Sequence, residues 1–291
     1  MDLSIIIVNY KTYELTRNAI KSVIETVNSS YELIVVDNDS QDKSYEKLKA
    51  ESINGIGTKN IKIIANPTNQ GFAKANNIAI KQAKGDHILL LNSDTIVKKD
   101  SIDTCLNYIK NNNDIGAIGC KITLPNGELD KAAKRSFPNP KNSFYKLFGF
   151  SKINKESKNN DYNLDNLDPS GVYEVDSLVG AFMLVRGETI NEVGLLDEDY
   201  FMYGEDIDWC YRIKHANWKI VYYGKAEIIH YKGSSSKKQK SKLIYEFYKS
   251  MYLFYRKHYS KKYSFLTKVS VYLGIFVLLI IKLFLNIFKR K

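Results

Sequence analysis

The first half of the chain alternates continuous apolar runs with segments of helical periodicity. The first run, LSIIIVNY, is rich in β-branched residues, whereas the next segment places Leu15, Ala19, Val23 and Val27 on one side of a helix. We expect Gly85 to cap the helix that ends near residue 83. The pattern predicts a layered α/β fold with a largely parallel sheet. The predicted strands are 3–10, 31–40, 61–65, 87–91 and 115–122, and the predicted helices are 14–27, 44–51, 72–83 and 101–110.

The pattern changes in the second half of the chain. Residues 134–169 are dominated by Asn, Lys, Ser and scattered aromatic residues, which predicts an irregular excursion with a short helix at 144–148. Apolar runs return from residue 171, and a helix is predicted over 240–259.

The last segment of the chain is strongly apolar. Residues 269–288, VSVYLGIFVLLIIKLFLNIF, are interrupted only by Lys282 and Asn286, and cations flank the segment on both sides. This length is sufficient to cross a bilayer core of about 30 Å, with Lys282 reaching the headgroups. A helix in the plane of the membrane interface is the rival interpretation, and a buried soluble helix is the third. We expect membrane attachment, and the choice between a crossing and an in-plane helix stays open.

Composition and charge narrow the class of protein. The chain has 291 residues, of which 44% are hydrophobic and 26% charged, as in a globular protein with ample material for a core. The formal net charge is +11, but lysines concentrate in the C-terminal part, which favours a basic surface at one end over a nucleic-acid groove. Cys105, Cys120 and Cys210 are far apart and odd in number, which predicts reduced cysteines rather than disulfides or a zinc site. The N-terminal apolar run is too short for a signal peptide and predicts the first strand.

Three predicted strands end in polar side chains. In open α/β sheets, ligands bind beyond the carboxyl ends of the strands, and parallel strands bring those ends to one edge. Each strand end alone is weak evidence, because Asp and Asn also cap helices and form turns, but three in series favour a binding site. The side chains are Asn9 and Tyr10, then Asp37, Asn38 and Ser40, and finally Asn92 and Asp94.

The sequence excludes two common nucleotide-binding motifs. No GxGxxG follows the first strand and no GxxxxGK[ST] occurs anywhere, so side chains must recognise a nucleotide. Asp37 is suited to accept a hydrogen bond from a base N–H, and Tyr10 is suited to pack on a base or ribose. Asp94 follows an apolar run, where a carboxylate is costly unless a partner such as a metal ion meets it.

Five segments make the chain resemble a family 2 glycosyltransferase with the GT-A fold. They are SIIIVNYK, IVVDNDSQD, NQGFAKANNIAI, LLLNSDT and FMYGEDIDWCYR, and the resemblance extends over residues 3–232. Within this family the chain is most similar to rhamnosyltransferase-like members that extend cell-surface glycans. The resemblance implies a Rossmann-like, mixed and mainly parallel sheet flanked by helices, a nucleotide diphosphate sugar donor, and a divalent metal, Mg²⁺ or Mn²⁺.

The resemblance also assigns donor-side and metal-binding residues. Asn92, Ser93 and Asp94 match the DxD motif of the family, with Asn in place of the first Asp. It implies that Asp94 binds the metal through a carboxylate oxygen, while Asn92 contacts the metal's water shell or the ribose. His230 matches the histidine that completes the metal site, although a lone His is more often structural. The other implied donor-binding residues are Val8, Asn9, Tyr10, Asp37, Asn38, Ser40, Asn69, Gly71, Phe72 and Asn76, where a simple turn is the alternative explanation of Gly71.

The motif GEDIDWCYR carries the catalytic assignment. Asp206 matches the general base of the family, which takes a proton from the acceptor hydroxyl as that hydroxyl attacks the anomeric carbon. A single base and direct displacement imply inversion at that carbon. Glu205 is expected to support the site, and Trp209 to stack on an acceptor sugar. The alternative is a helix N-terminus with acidic residues favoured by the helix dipole and an Asp208–Arg212 ion pair.

Weaker assignments concern the acceptor side. Gly180 and Ala181 match a Gly-Ala pair at the floor of the acceptor pocket of the family, although strand packing explains them equally well. Asp176 and Arg135 are candidate sugar contacts. The irregular stretch 134–169 is expected to help select the acceptor.

The predicted organisation follows from these assignments. Residues 1–235 form a GT-A domain, in which 1–122 bind the nucleotide sugar and 123–235 bind the acceptor. Residues 236–263 form a basic linker and helix, and residues 264–291 form a membrane-associated or transmembrane helix.

The predicted function is an inverting, metal-assisted transfer of a sugar to a growing cell-surface glycan. Rhamnose from dTDP-rhamnose is the first choice of donor and a UDP-hexose the second. The expected acceptor is a polyprenyl diphosphate-linked glycan at the cytoplasmic face of the membrane. A non-catalytic nucleotide-sugar or glycan-binding protein on the same fold is the alternative. No nucleic acid is expected as a partner, and the sequence leaves open whether the protein is a homodimer.

Overall fold

The computed structural model describes residues 1–54, 60–138, 162–232 and 240–288, apart from the side chains of 53 and 54. The strands are β1 (Leu3–Asn9), β2 (Tyr31–Asp37), β3 (Ile61–Ala65), β4 (His87–Asn92), β5 (Thr95–Val97), β6 (Ile115–Thr123), β7 (Val172–Glu174), β8 (Phe182–Arg186) and β9 (Lys219–His230). The helices are α1 (Tyr13–Thr26), α2 (Ser44–Asn54), α3 (Phe72–Ile80), α4 (Ser101–Lys110), α5 (Gly187–Val193), α6 (Glu205–His215), α7 (Lys240–Phe254) and α8 (Phe265–Phe288), with a 3₁₀ turn at Lys131–Ala133 and a π-helical turn at Tyr255–Tyr259. The short helix expected at 144–148 lies outside these residues.

The strands of the described residues form one mixed sheet. Eight of them follow the order β3-β2-β1-β4-β8-β6-β9-β5, and β7 pairs with β9. The neighbours β3, β2, β1 and β4 are parallel, β8 is antiparallel to both β4 and β6, and β9 is parallel to β6. The predicted α/β class and mixed sheet are confirmed, and parallel pairing is concentrated in the N-terminal part of the chain.

The strand pairing aligns the polar strand ends. Asn9 of β1 is in register with Asp37 of β2, and β4 is parallel to β1 on its other side. The carboxyl ends of these strands therefore meet at one edge of the sheet, as predicted. On the far side of the sheet, Thr95 pairs with His230, which brings the end of β9 next to Asp94.

The core consists of apolar strand residues and one side of each packed helix. Every residue of β1 except Val8 is buried, and so is every residue of β4 except Asn92, as expected for central strands covered on both faces. The helix α1 buries Ala19, Ile20 and Val23, which recur at helical spacing. The three cysteines are buried free thiols, in agreement with the prediction.

The helix predicted over 72–83 is shorter than expected. α3 ends at Ile80, and its C-cap is Lys81. The prediction that Gly85 caps the helix is wrong. A Cβ at Gly85 would come within 2.4 Å of the backbone nitrogen of Ser4, so the glycine allows the chain to pack directly on β1.

The C-terminal helices lie beyond the sheet. The predicted helix over 240–259 is present as α7, and its last turn is π-helical. Among the described residues, α8 is the helix that is long and apolar enough to cross a membrane. No residue in its most apolar stretch of 18 residues is buried. Length and composition alone thus support membrane association.

Candidate active site

A hydrogen-bonded cluster joins the ends of β1 and β2. The Asn9 side-chain amide donates to Asp37 Oδ1 (2.6 Å) and to Ser40 Oγ (2.9 Å), and the Ser40 hydroxyl donates to Asp37 Oδ1 (2.5 Å). Thr12 and Thr16 donate to Asn9 Oδ1 at 3.0 and 2.7 Å. All five side chains are buried. This cluster fixes the Asp37 carboxylate at the strand end.

A second cluster anchors the loop that leads into α3. Asn38 Nδ2 donates to Asn69 Oδ1 (3.0 Å) and to the Gly71 carbonyl (3.2 Å), and Asn38 Oδ1 accepts from Asn66 Nδ2 (3.0 Å). Gly71 has φ +83°, and a Cβ there would lie 2.2 Å from the Phe201 carbonyl oxygen. Gly71 is therefore required both by its backbone conformation and by the close approach of another chain segment.

The other predicted donor-side residues lie around these clusters. Val8 and Tyr10 are half-buried. Asn76 is buried, and its amide donates to the Phe72 carbonyl at 2.9 Å within α3. The Ser93 hydroxyl is buried and lies 3.1 Å from Thr12 Oγ1, which ties the β4–β5 turn to the start of α1.

The end of β9 meets the Asn-Ser-Asp turn. His230 Nε2 lies 3.2 Å from Asp94 Oδ1 and 3.4 Å from Asn92 Nδ2. Asp94 is 7% exposed and His230 is 6% exposed. Burial acts to lower the pKa of His230, but the hydrogen bonds to Asp130 and Asp94 outweigh it and raise this pKa to about 9. The strand-end carboxylate of Asp94 therefore has a cationic partner.

Asp130 belongs to this cluster although sequence reasoning did not select it. Its Oδ2 lies 3.2 Å from His230 Nδ1, and its Oδ1 accepts hydrogen bonds from Lys232 Nζ (2.8 Å) and the Ala132 backbone N–H (3.0 Å). Burial acts to raise the pKa of Asp130, but the hydrogen bonds from His230 and Lys232 hold this pKa well below its usual range. Asp130 is thus an ionised group that orients the His230 ring.

The geometry of Asp94 and His230 fits a divalent cation, which would displace the proton from His230 Nε2 when it binds. A carboxylate oxygen and an imidazole Nε2 converge at 3.2 Å, while Asp130 holds the other ring nitrogen, as carboxylates commonly do at metal-binding histidines. Within the described ranges, no three His, Cys, Asp or Glu side chains are grouped to hold a metal. Two protein ligands suit Mg²⁺ or Mn²⁺ when substrate phosphate oxygens and water complete the coordination.

Asp206 lies in the first turn of α6. Its Oδ2 accepts from Arg135 Nη2 at 2.7 Å and from the Gly180 backbone N–H at 3.4 Å, and its Oδ1 accepts from the Ile207 N–H at 2.8 Å. Arg135 also donates to the Leu178 carbonyl at 2.5 Å. Burial acts to lower the pKa of Arg135, but the charge of Asp206 outweighs it and raises this pKa. Arg135, predicted as a sugar contact, is here the ion-pair partner of Asp206.

Gly180 and Ala181 connect the donor edge to α6. A Cβ at Gly180 would lie 3.3 Å from the Phe72 ring and 4.0 Å from the Asp206 Cβ. Ala181 is buried, and its carbonyl accepts from the Asn92 backbone N–H at 3.1 Å. The start of α3, the end of β4 and the first turn of α6 therefore meet around two small residues.

Glu205 is buried next to Asp206. Its Oε2 has no hydrogen-bond partner among the described residues. Burial, and after it the charge of Asp206, raise the pKa of Glu205 to about 8; Asp208 acts in the same direction and Arg135 in the opposite one. The raised pKa favours the protonated, neutral form of Glu205.

We expect Glu205→Gln to change how stability depends on pH. In the wild-type chain Glu205 keeps its proton up to about pH 8 when folded, but a glutamate in the unfolded chain loses it above its ordinary pKa of 4.5. The folded state then binds more protons between these values, so the free energy of unfolding falls as pH rises, by at most about 1.4 kcal/mol per pH unit. Gln removes this slope. The melting temperature of the variant, measured relative to that of the wild type, should therefore rise as the pH is raised from 5 to 8. Thermal unfolding at several pH values, with the exposed Glu188→Gln as control, measures this gain, and parallel curves for wild type and Glu205→Gln would contradict it.

Trp209 does not fit its predicted role. Its side chain is 0% exposed, and its indole N–H donates to a backbone carbonyl at 2.9 Å. Stacking on a sugar requires an accessible ring face, so Trp209 is assigned to the core. The Asp208–Arg212 pair is present, with 2.9 Å between Asp208 Oδ2 and Arg212 Nε. Asp176, the other candidate sugar contact, forms an ion pair with Lys214 at 3.0 Å.

Solved structures share this architecture. The mannosyltransferase PcManGT from Pyrobaculum calidifontis, in complex with GDP-Man and Mn²⁺, superposes with a TM-score of 0.61 at 13% identity, covering 88% of this chain and 63% of that chain. Residues 1–349 of TarS from S. aureus superpose with a TM-score of 0.59 at 17% identity, covering 95% of this chain and 71% of that one. The likeness confirms the predicted GT-A fold.

The sequence comparisons establish the family. Residues 4–167 match the family described as Glycosyl transferase family 2, and residues 87–288 match the one described as Glycosyl transferase family group 2. The chain therefore belongs to glycosyl transferase family 2, as predicted.

Similar curated proteins include two rhamnosyltransferases. Rhamnosyltransferase WbbL of Escherichia coli (strain K12) is 33% identical over 171 residues, which are 55% of this chain and 61% of WbbL. The N-acetylglucosaminyl-diphospho-decaprenol L-rhamnosyltransferase of Mycobacterium tuberculosis (strain CDC 1551 / Oshkosh) is 28% identical over 207 residues, 67% of this chain and 66% of that protein. The low-salt glycan biosynthesis hexosyltransferase Agl10 of Haloferax volcanii is 27% identical over 223 residues, 75% of this chain and 64% of Agl10. The chain thus spans less than two thirds of the length of each of these relatives.

Proposed function

We propose that the chain is an inverting glycosyltransferase that moves a sugar from a nucleotide diphosphate donor to a hydroxyl of a growing glycan. One observation carries this proposal: the buried Asp37 cluster, the Asp94–His230 pair and Asp206 occur around a single edge of the sheet, connected through Gly180 and its neighbour. Membership of glycosyl transferase family 2 and the names of the relatives support the same class of reaction.

The donor-side residues have distinct proposed roles. Asp37 accepts a hydrogen bond from the nucleotide base, and Tyr10 packs on the base or ribose. Asp94 and His230 would hold a divalent cation, which would supply positive charge to the diphosphate leaving group. The Mn²⁺ in the PcManGT structure supports a divalent metal in this chain.

In the proposed catalytic step, Asp206 accepts one proton. The acceptor hydroxyl attacks the anomeric carbon, its O–H proton passes to the Asp206 carboxylate, and the bond from that carbon to the diphosphate oxygen breaks. Attack from the face opposite the leaving group inverts the configuration. Arg135 holds Asp206 Oδ2 in place, and neutral Glu205 adds no second negative charge next to it.

The proposed substrates follow the relatives. Rhamnose from dTDP-rhamnose is the first donor to test, and a UDP-hexose is the second. A polyprenyl diphosphate-linked glycan at the cytoplasmic face of the membrane is the proposed acceptor, which the name of the mycobacterial relative supports. Residues 1–122 are proposed to bind the donor and 123–235 the acceptor.

Nucleotide release by the purified full chain tests the proposal. A panel of dTDP-rhamnose, UDP-hexoses and GDP-mannose is incubated with Mg²⁺ or Mn²⁺, and each reaction is repeated with EDTA. We expect slow release from one donor, acceleration by a lipid-linked acceptor, and loss of release with EDTA. Absence of both release and metal-dependent donor binding across the panel would overturn the proposal, whereas donor binding without any transfer would favour a nucleotide-sugar-binding protein.

We expect Asp130→Asn to weaken metal binding about 10–100-fold, since an outer partner of a metal-binding histidine typically contributes that much. The asparagine keeps the size of the side chain but loses the charge that orients His230 through Nδ1. Titration of Mn²⁺ followed by EPR, with a nucleoside diphosphate present, measures the change directly. Lys232→Met is the control: it removes another partner of Asp130 and leaves the Asp130–His230 contact intact. Equal affinities for Mn²⁺ in wild type and Asp130→Asn would contradict the orienting role.

A further inference from the structure

The helix α7 and the π-helical turn after it pack against the domain that carries the active site. Tyr248, Leu253 and Phe254 are buried. His258 Nε2, in the π-helical turn, lies 2.6 Å from Oδ1 of the buried Asp208 of α6. This helix therefore cannot leave the domain without breaking buried contacts.

The helix α8 runs back along α7. Near the start of α7, Asn286 Nδ2 donates to Ser241 Oγ at 2.9 Å, and Asn286 is itself buried. Near the end of α7, the ring centroids of Tyr252 and Tyr272 are 5.0 Å apart. The two helices thus form an antiparallel hairpin, in which residues 272–286 lie alongside residues 241–252.

The side of α8 that faces away from α7 is an uncharged stripe of mostly apolar residues, among which Ser270 is exposed. Leu266, Leu273, Ile280 and Ile287 recur every seven residues and are 76%, 59%, 50% and 63% exposed. We call these residues and their exposed neighbours the outer stripe. Lys268 and Lys282 are excluded from it, because each follows a stripe residue by two positions, about 200° around the helix. The exposed neighbours are Phe265, Val269, Phe276, Val277, Ile281, Phe284, Leu285 and Phe288.

We propose that the outer stripe lies in the plane of a lipid bilayer interface and that α8 does not cross the bilayer. Over the length that pairs with α8, α7 carries Lys242, Glu246 and Lys249. A crossing α8 with α7 attached would take these charged side chains into the hydrocarbon, which strongly disfavours them. An in-plane helix buries only its apolar side and leaves α7 in water.

The loop end of the hairpin supports lipid as the occupant of this surface. Tyr252 and Tyr263 are partly exposed there, and Arg256 and Lys261 are exposed beside them. Aromatic rings of this kind prefer the headgroup level of a bilayer, and cations are attracted to anionic lipids. A second copy of the chain whose α8 packed parallel to this one would bring these cations close to another set of the same charge. The outer stripe therefore fits an anionic membrane surface better than a parallel dimer.

The depth of four stripe positions tests the proposal. The variants Leu266→Cys, Leu273→Cys, Ile280→Cys and Ile287→Cys of the full chain are each spin-labelled and bound to vesicles of phosphatidylcholine and phosphatidylglycerol. The native cysteines are buried, and the unsubstituted chain gives the background labelling. An in-plane helix places all four labels at the same depth, roughly 5–10 Å below the headgroups. A crossing helix changes the depth by about 10 Å from one label to the next, because seven residues rise that far.

A locked hairpin provides a second, independent measurement. The double variant Ser241→Cys/Asn286→Cys replaces a contacting pair, and its oxidised form holds α8 against α7. We expect the oxidised and reduced forms to bind vesicles equally. Depths that pass through the bilayer centre, loss of vesicle binding on oxidation, or a dimer in solution without vesicle binding would each overturn the proposal. Neither measurement uses donor or acceptor, so the result is independent of the proposed transfer reaction.

Discussion

Replacing Asp206 with asparagine is expected to lower sugar transfer by about 10²–10⁴-fold, the usual contribution of a general base. The substitution keeps the size of the side chain and removes the carboxylate that takes the acceptor proton. The structure fixes that carboxylate firmly, with Arg135 Nη2 at 2.7 Å from Oδ2. The donor clusters around Asp37 and Asn38 do not include Asp206, so donor affinity should be retained. Initial rates of transfer and calorimetric titration of the donor with metal separate the two effects.

Stability has to be controlled in this experiment. Asparagine leaves the buried Arg135 without its anion, and breaking a buried ion pair costs about 3–5 kcal/mol. Asp208→Asn is the matched control, because Asp208 lies in the same helical turn, is buried and is paired with Arg212 at 2.9 Å. We expect it to lower the melting temperature while transfer is largely kept. Wild-type rates in Asp206→Asn would refute the general-base role, and equal loss of transfer in both variants would assign the effect to folding.

Most of the α/β core could be predicted from the sequence because its signal is local. The runs that form β1, β2 and β4 are continuous and apolar, as central parallel strands are, and the helices between them allow the parallel pairing. The strand β5 has only three residues, too few for any periodicity. The position of Gly85 was misinterpreted for a related reason. A helix cap is a local explanation, whereas the structure requires a glycine there because β1 passes within 2.4 Å of the position of its Cβ.

The site residues that lie at strand ends could be predicted from the sequence. The site residue whose contacts join positions distant in sequence was missed. Asn9, Asp37 and Asp94 follow apolar runs, and that change of pattern is visible without a structure. The contact of Asp130 with His230 joins residues 100 positions apart, and no periodicity records such a pair.

The sequence pattern around Trp209 indicates a core position, although the neighbouring catalytic motif suggested a different role. Cys210 and Ile213 follow it at helical spacing, and all three are buried on one side of α6. A tryptophan beside a catalytic carboxylate suggests stacking on a sugar, but helical periodicity assigns this one to the packed side of the helix. The amphipathic pattern of the helix therefore predicts the position of Trp209 better than its proximity to the catalytic motif does.

Replacing Asp94 with asparagine is expected to weaken Mn²⁺ binding more than about 100-fold, since loss of an outer partner alone costs 10–100-fold. The carboxylate is the hard oxygen ligand of the pair with His230, whose Nε2 lies 3.2 Å from Asp94 Oδ1. Asn92→Asp is the matched reciprocal change. It adds a carboxylate two positions earlier, where the amide lies 3.4 Å from the same ring nitrogen, and should keep or tighten Mn²⁺ binding. EPR titration of Mn²⁺ with a nucleoside diphosphate measures both variants, and donor turnover should follow the same order. If Asp94→Asn bound Mn²⁺ as the wild type does, the cation would have to be held elsewhere, and the strand-end carboxylate would serve only as the partner of a charged histidine.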